Sequence, residues 1–324
     1  MARGQSLTSQ KPIKPTVTTL AGGVGAAKCL RGLVRRIDPR RFAVIVNTGD
    51  DEEFFGLHVS PDIDTVIYTL AGVINKANGW GLEGESFNTL DALGRYYGKP
   101  WFNLGDRDLA THLYRSERLR SGASLSEITS DIAQRFGIGA RILPMSNDSV
   151  RTFVKLRGRP AIPFQEYFVR RRARGRVEAI ELRGMEEAKA LPDALKAIGD
   201  SRAIILAPSN PFVSLAPILN LKGMREALAS VRSRVAAISP IVGGKTIKGP
   251  ADKMLRGLGH EVSPLAVARL YKDFLGAFVL DTVDHSYIEP IRALGIRAVA
   301  TDTIMTTPAK AARLADVVMR ALEV

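Results

Sequence analysis

The chain has 324 residues and a single cysteine, Cys29, which excludes an internal disulfide and a multi-cysteine metal site. Apolar residues make up 45% and charged residues 24%, so the chain is no disordered polyampholyte and can build a large α/β core. A formal net charge of +13 favours anionic partners: nucleotides, phosphorylated metabolites, nucleic acid or anionic lipid.

Residues 1–15, MARGQSLTSQKPIKP, read as a flexible tail without the apolar core of a signal peptide. A strand-like run, Val17–Ala21, then meets Gly22, Gly23 and Gly25, and a helical pattern follows. Backbone N–H groups of such a turn can cradle an anion at a helix N-terminus, and Lys28 lies one turn further in. The spacing matches neither a dinucleotide fingerprint nor a P-loop, so the turn reads either as a phosphate site or as a tight corner.

A second strand, Phe42–Asn47, runs into Asp50 and Asp51, and Asp62 and Asp64 open a helical stretch. Asp62 taken singly reads as a helix cap. Four aspartates within fifteen residues at a strand's carboxyl end also suit Mg²⁺ ligation or the orientation of a hydroxyl. The next span is helical, with helices expected at Asp108–Leu119 and Ser124–Phe136; the latter opens on the capping box SLSE. In LGDRDLATH, the acids suit helix capping and Arg107 suits a phosphate, while His112 braces the loop. The four histidines form no zinc triad.

Strand-like pieces follow at Arg151–Leu156, Phe164–Val169 and Val177–Leu182. The run RRRARGR, Arg170–Arg176, reads as a solvated hairpin tip between the last two. It has no interleaved aromatics to stack bases, so nucleic acid is not expected as a partner. Four more strands are expected at Ala203–Ala207, Val235–Ser239, Ala277–Leu280 and Arg297–Ala300. Ser209 and Asn210 offer hydrogen-bonding groups after the first of these, and Pro211 suits a helix start. Gly243, Gly244, Lys245 and Lys248 form a basic loop that reads as solvated or as a lid over a polyphosphate.

This alternation predicts an α/β fold: a Rossmann-like, doubly wound, mostly parallel sheet with an inserted helical and β region. The core is expected from 16–85 and 200–324, with 86–199 inserted. No apolar run approaches the ~20 residues that span a membrane, and the reading is of a cytoplasmic protein.

The segments AGGVGAAK, NTGDD, SPDIDT, GWG, GDRDLATH, ILPMSND, APSNPFVS and SPIVGG, between about Val17 and Val318, stand in the order seen in 2-phospho-L-lactate transferases. The chain resembles that family, whose members assemble the deazaflavin coenzyme F-420. The resemblance implies transfer of a phospho-acid from a guanosine-diphospho donor to 7,8-didemethyl-8-hydroxy-5-deazariboflavin (Fo). The acid is phospholactate, enolpyruvyl phosphate or phosphoglycerate, the acceptor is the primary ribityl hydroxyl, and GMP leaves. Gly22, Gly23, Gly25, Lys28, Ser209 and Asn210 would then hold the nucleotide. Asp50 and Asp51 would hold Mg²⁺ or lie beside it. Asp64 and Asn103 would contact the deazaflavin, Asn103 replacing a basic residue of some relatives. Asp64, Asp50 and Arg107 would carry catalysis, and the family often forms homodimers. Asp64→Asn is expected to leave the fold intact and abolish transfer. Two rivals stand beside this reading. One is a nucleotide-sugar-binding regulator of the gluconeogenesis-factor-like group. The other is a nicotinamide oxidoreductase, which lacks its fingerprint here.

Overall fold

Short, mainly apolar runs, most of them buried on both faces, build one parallel sheet. A computed structural model describes residues 14–323; most of the expected tail, 1–13, lies outside the described residues. The seven strands are β1 Val17–Ala21, β2 Phe42–Val46, β3 Arg141–Pro144, β4 Ala203–Leu206, β5 Val235–Ile238, β6 Ala277–Asp281 and β7 Arg297–Thr301. They lie in the order β7-β6-β5-β4-β1-β2-β3, and all neighbouring pairs are parallel. Every residue of β1, β2, β4, β5 and β6 is buried, as a sheet covered on both faces requires. Ala43 and Ile45 point into one core, and Phe42, Val44 and Val46 into the other.

The strand order turns back on itself between β1 and β4. In open α/β sheets the ligand crevice forms at that switch, beyond the carboxyl ends of the strands. The helices that frame it here are α1 Gly23–Leu33, α2 Pro61–Leu70, α3 Asn88–Tyr97, α4 Asp108–Arg120 and α5 Leu125–Arg135. α5 begins with both halves of the expected capping box on Ser124 and Glu127. Among the described residues no helix is long and apolar enough to cross a membrane.

The chain between 86 and 199 makes two excursions. The first carries α3 to α5. The chain then returns to the sheet as β3, which pairs with β2, and leaves again into an antiparallel sheet of Ala161–Pro163, Arg151–Leu156 and Val177–Arg183.

One expected strand is absent. Phe164–Val169 forms a helical turn, closed by an Arg171 N–H donating to Glu166 O five residues back. Phe164, Tyr167 and Phe168 stand three and four apart, a helical spacing; Tyr167 is buried and Phe168 stacks on Phe164 at 5.5 Å. Arg170–Arg176 is therefore not a hairpin tip. It joins this turn to the strand Val177–Arg183 and borders an open hollow of about 710 Å³.

α1 crosses the helix Pro308–Ala321 with its backbone in contact. A Cβ built on Gly32 would lie 2.3 Å from Ala311 O. Gly32→Ala is expected to cost about 1–3 kcal/mol through this overpacking. Urea denaturation checks it, and an unchanged midpoint would show that the two helices separate freely.

Candidate active site

The site begins where β1 ends. Gly23 takes a positive φ of 74°. A Cβ on Gly25 would lie 2.4 Å from Pro208 O, and one on Gly22 would lie 2.7 Å from Ser214 Cβ. The turn is thus pressed against the chain leaving β4, which explains glycine at both positions. The Gly23 N–H donates to Asp62 Oδ1 at 2.7 Å, so the protein's own carboxylate fills one donor of the turn. Ser209 is buried, and its Oγ has no partner. Asn210 accepts from the Phe212 N–H at 3.0 Å and caps the helical segment that starts at Pro211.

Two acids face each other beside the turn. Asn47 Nδ2 donates to Asp62 Oδ2 at 2.9 Å and to Asp50 Oδ1. Burial, then the neighbouring Asp62, pushes the Asp50 carboxyl well above the ordinary range. Burial pushes Asp62 up to about 6, against the hydrogen bonds from Asn47 and Gly23. Asp62 therefore does not cap its own helix; it ties the first loop to the second. Asp51 points elsewhere. Its Oδ2 accepts from Ser60 Oγ at 2.7 Å and meets His58 Nε2 at 3.0 Å.

A second buried cluster joins α2 to α4. Asp64 and Tyr68 share one face of α2; Asp108, His112 and Arg115 share one face of α4. Arg115 is fully buried and grips both Asp64 oxygens, Nη1 on Oδ2 at 3.0 Å and Nη2 on Oδ1. Tyr68 donates to Asp108 Oδ1 at 2.6 Å. His112 lies between the acids, Nδ1 at 3.7 Å from Asp64 and Nε2 at 3.4 Å from Asp108. Burial raises Asp64 while Arg115 and His112 pull it down. For Asp108 burial also raises, but His112, Tyr68 and Arg115 outweigh it, and the carboxyl stands below its ordinary value.

Asp64, Asp108 and His112 could hold a metal ion, since one ligand atom of each lies within 4.8 Å of the others. Arg115 already supplies a permanent cation to this group, so a metal there would sit beside a guanidinium. Asp50 and Asp62 have hard oxygens, raised carboxyls and no cation between them. Two such carboxylates completed by substrate phosphates are what Mg²⁺ takes.

Asp50, Asp62, Asp64, Asp108 and His112 line one cleft of about 450 Å³ at the β1/β4 switch, with Trp80, Phe102, Phe168 and Ile247 among its apolar walls. A family model described as 2-phospho-L-lactate transferase CofD matches residues 17–319. The chain belongs to the CofD family. It is 45% identical over 295 residues to the phosphoenolpyruvate transferase of Streptomyces griseus, covering 90% of this chain and 93% of that one. It is 38% identical over 301 residues to the 2-phospho-L-lactate transferase of Methanosarcina mazei, covering 93% and 98%. The solved structure of protein BH3568 from Bacillus halodurans superposes with a TM-score of 0.63 at 16% identity over 95% of this chain and 100% of that one, a likeness of fold. The CofD-family chain is thus a transferase on a Rossmann-like fold.

Of the residues expected to act in this CofD-family chain, Gly22, Gly23, Gly25, Lys28, Ser209 and Asn210 come together along the cleft. Asp50, Asp64 and Asn103 line it as well. Asp51 and Arg107 do not. The Arg107 guanidinium donates to Glu83 O at 2.6 Å, and its N–H donates to Glu85. Asp106 accepts from Ser86, Asn88 and Thr89 and so caps α3 from outside. Sequence reasoning missed Asp62 as a loop tie, and Tyr68 and Arg115 altogether. The spacing of Asp108, His112 and Arg115 along one helix face was the available signal.

Arg115→Met leaves the Asp64 carboxylate buried without its cation and is expected to cost about 3–5 kcal/mol in urea denaturation. Adding Asp64→Asn should return part of that loss. A single variant as stable as the parent would show the pair to be dispensable. Asp62 titrates higher folded than unfolded, so its contribution to stability is lost as pH rises from about 4 through about 6. Across that window the unfolding midpoint of Asp62→Asn should gain on the parent's. A constant gap would show that Asp62 is ordinary.

Proposed function

We propose that the chain transfers a three-carbon phospho-acid from a guanosine-diphospho donor to the ribityl hydroxyl of Fo, in coenzyme F-420 assembly. The family match over 17–319 carries this reading, and the geometry of the cleft supports it. The Gly22–Gly25 turn, Lys28 and the unpartnered Ser209 hydroxyl suit the donor's diphosphate and nucleoside. Trp80, Phe102 and Phe168 suit a flat tricyclic ring. Enolpyruvyl phosphate is the first acid to test, because the S. griseus relative, a phosphoenolpyruvate transferase, is the more similar of the two relatives named above.

The reaction joins the hydroxyl oxygen to the donor's acid-bearing phosphorus as the hydroxyl proton passes to Asp64, and breaks that phosphorus's bond to the bridging oxygen, which leaves with GMP. Such transfers depend on positioning and charge neutralisation. Asp64 orients the hydroxyl: each oxygen that accepts from Arg115 keeps a lone pair for a second donor. Arg115 fixes the direction of that carboxylate. Asp50 and Asp62 would hold Mg²⁺, which would neutralise the diphosphate. Lys28 and the free N–H groups of the turn bind the departing phosphate. Asp51 and Arg107 brace loops around the site.

Asp64→Asn also removes the charge that pairs with the buried Arg115, so its stability must be measured beside its activity. Mass spectrometry of the chain incubated with Mg²⁺, Fo and each of the three guanosine-linked donors is expected to show a deazaflavin phosphodiester. Folded Asp64→Asn should form it at least about 100-fold more slowly. Product formation at the parent rate would remove Asp64 from the mechanism. No product from any donor, with no Fo fluorescence change, would favour the nucleotide-sugar-binding regulator.

A further inference from the structure

The loop after β5 crosses the cleft. Its Lys248 Nζ donates to Asn78 O at 2.8 Å, joining positions 170 residues apart. Asn78 sits in the turn before Trp80, and that turn lies directly over the Gly22–Gly25 corner. A Cβ on Gly79 would be 2.7 Å from Val24 Cγ1 and 3.2 Å from Lys248 Nζ. Lys248 therefore hangs above the helix N-terminus from which Lys28 rises.

Two ammonium groups thus face one empty stretch of cleft. The lysine ion pairs among the described residues are those of Lys14, Lys76, Lys155 and Lys310, so neither Lys28 nor Lys248 has a carboxylate partner. Burial, and then the like charge of Lys28, holds the Lys248 ammonium below its ordinary value. Among the described residues its acceptor is a neutral carbonyl.

The loop lies outside the main sheet and folds as a short hairpin, Ile241–Val242 pairing antiparallel with Lys245–Thr246. Gly243 and Gly244 take positive φ at its tip, and Gly249 beyond its second strand. It is pinned at one side by the Gly243 N–H on Asp284 Oδ2 at 3.0 Å, and at the other by the Asp252 N–H on Thr246 Oγ1 at 2.8 Å. Between the pins Ile247 is 61% exposed at the rim of the cleft.

We propose that Lys248 is a mobile phosphate ligand, which with Lys28 clamps the diphosphate of a nucleoside-diphosphate donor against the Gly22–Gly25 turn. This rests on the transfer reading above and assigns a residue to donor recognition. Lys248 exchanges the Asn78 carbonyl for a phosphate oxygen, a charge-assisted bond roughly twice as strong. The exchange draws Ile247 over the ligand and carries the loop closed. Lys245, outside the cleft lining, takes no part.

GDP is the probe, titrated calorimetrically into the full chain with Mg²⁺. Lys248 is exposed, so its variants should fold. Lys248→Met is expected to weaken GDP binding about tenfold or more, with a shallower dependence on salt, while Fo binding read by fluorescence stays unchanged. Lys248→Arg should restore most of the affinity. Lys28→Met should weaken GDP binding too, and the double variant should lose less than the two singles combined, because both cations share one diphosphate. A parent that binds GDP and forms product, beside a Lys248→Met that binds GDP within twofold of it, overturns the clamp and leaves the transfer reading standing. A parent that binds neither GDP nor Fo overturns the transfer reading and the clamp with it.

Discussion

Backbone meets backbone at the switch between β1 and β4. The corner that leaves β1 touches the chain that leaves β4 closely enough to leave no room for a side chain at Gly22 or Gly25. This contact locks the two halves of the sheet at their carboxyl ends. It also brings the N-terminus of α1 beside Ser209, so one steric requirement serves both the fold and the cleft. The hydrogen bond from Gly23 to Asp62 adds the loop after β2 to the same junction.

Around this junction the protein buries charge in two different ways. Asp64, Arg115, His112 and Asp108 form a cluster that supplies its own cation: Arg115 opposes the burial that raises Asp64, and Asp108, with His112, Tyr68 and Arg115 around it, stands below its ordinary value. Asp50 and Asp62 have no such cation beside them, and burial raises both carboxyls. The first arrangement holds a carboxylate rigid. The second stores an affinity for a positive charge that the polypeptide leaves unmet. The two arrangements stand side by side in one cleft.

The sheet was largely legible because parallel strands buried on both faces carry mainly apolar runs; β1 begins and ends where the sequence suggested, with two buried threonines inside it. β3 was not, because it is four residues long, with Arg141 at one end and Pro144 at the other. Phe164–Val169 was read as a strand because its residues are aromatic and β-branched, yet their spacing of three and four is helical. Within the site, the glycine corner and Asp64 were visible through their companions in sequence. Asp51 and Arg107 stand outside the cleft lining because neighbouring residues leave a loop in opposite directions, and spacing along a loop does not say which one faces the cleft. Asp62 was read as a cap because first-turn aspartates commonly are; only tertiary contact turns it towards Gly23.

Glu85 accepts from the N–H groups of Arg107 and Asp108 at 2.9 Å each, and so it sets where α4 starts. A Cβ on Gly105 would come within 2.2 Å of Glu85 Cδ. Trp80, a wall of the cleft, stands five residues before Glu85. The segment between them is tied down as well: Leu82 is buried, and the Glu83 N–H donates to Val73 O at 2.8 Å. It is therefore a spacer of set length. One residue more or less would either pull Trp80 out of the cleft or rotate α4, turning the face that carries Asp108, His112 and Arg115 away from α2. Loops on a protein's exterior usually accept insertions freely. This one should keep its length, and an apolar residue at Leu82.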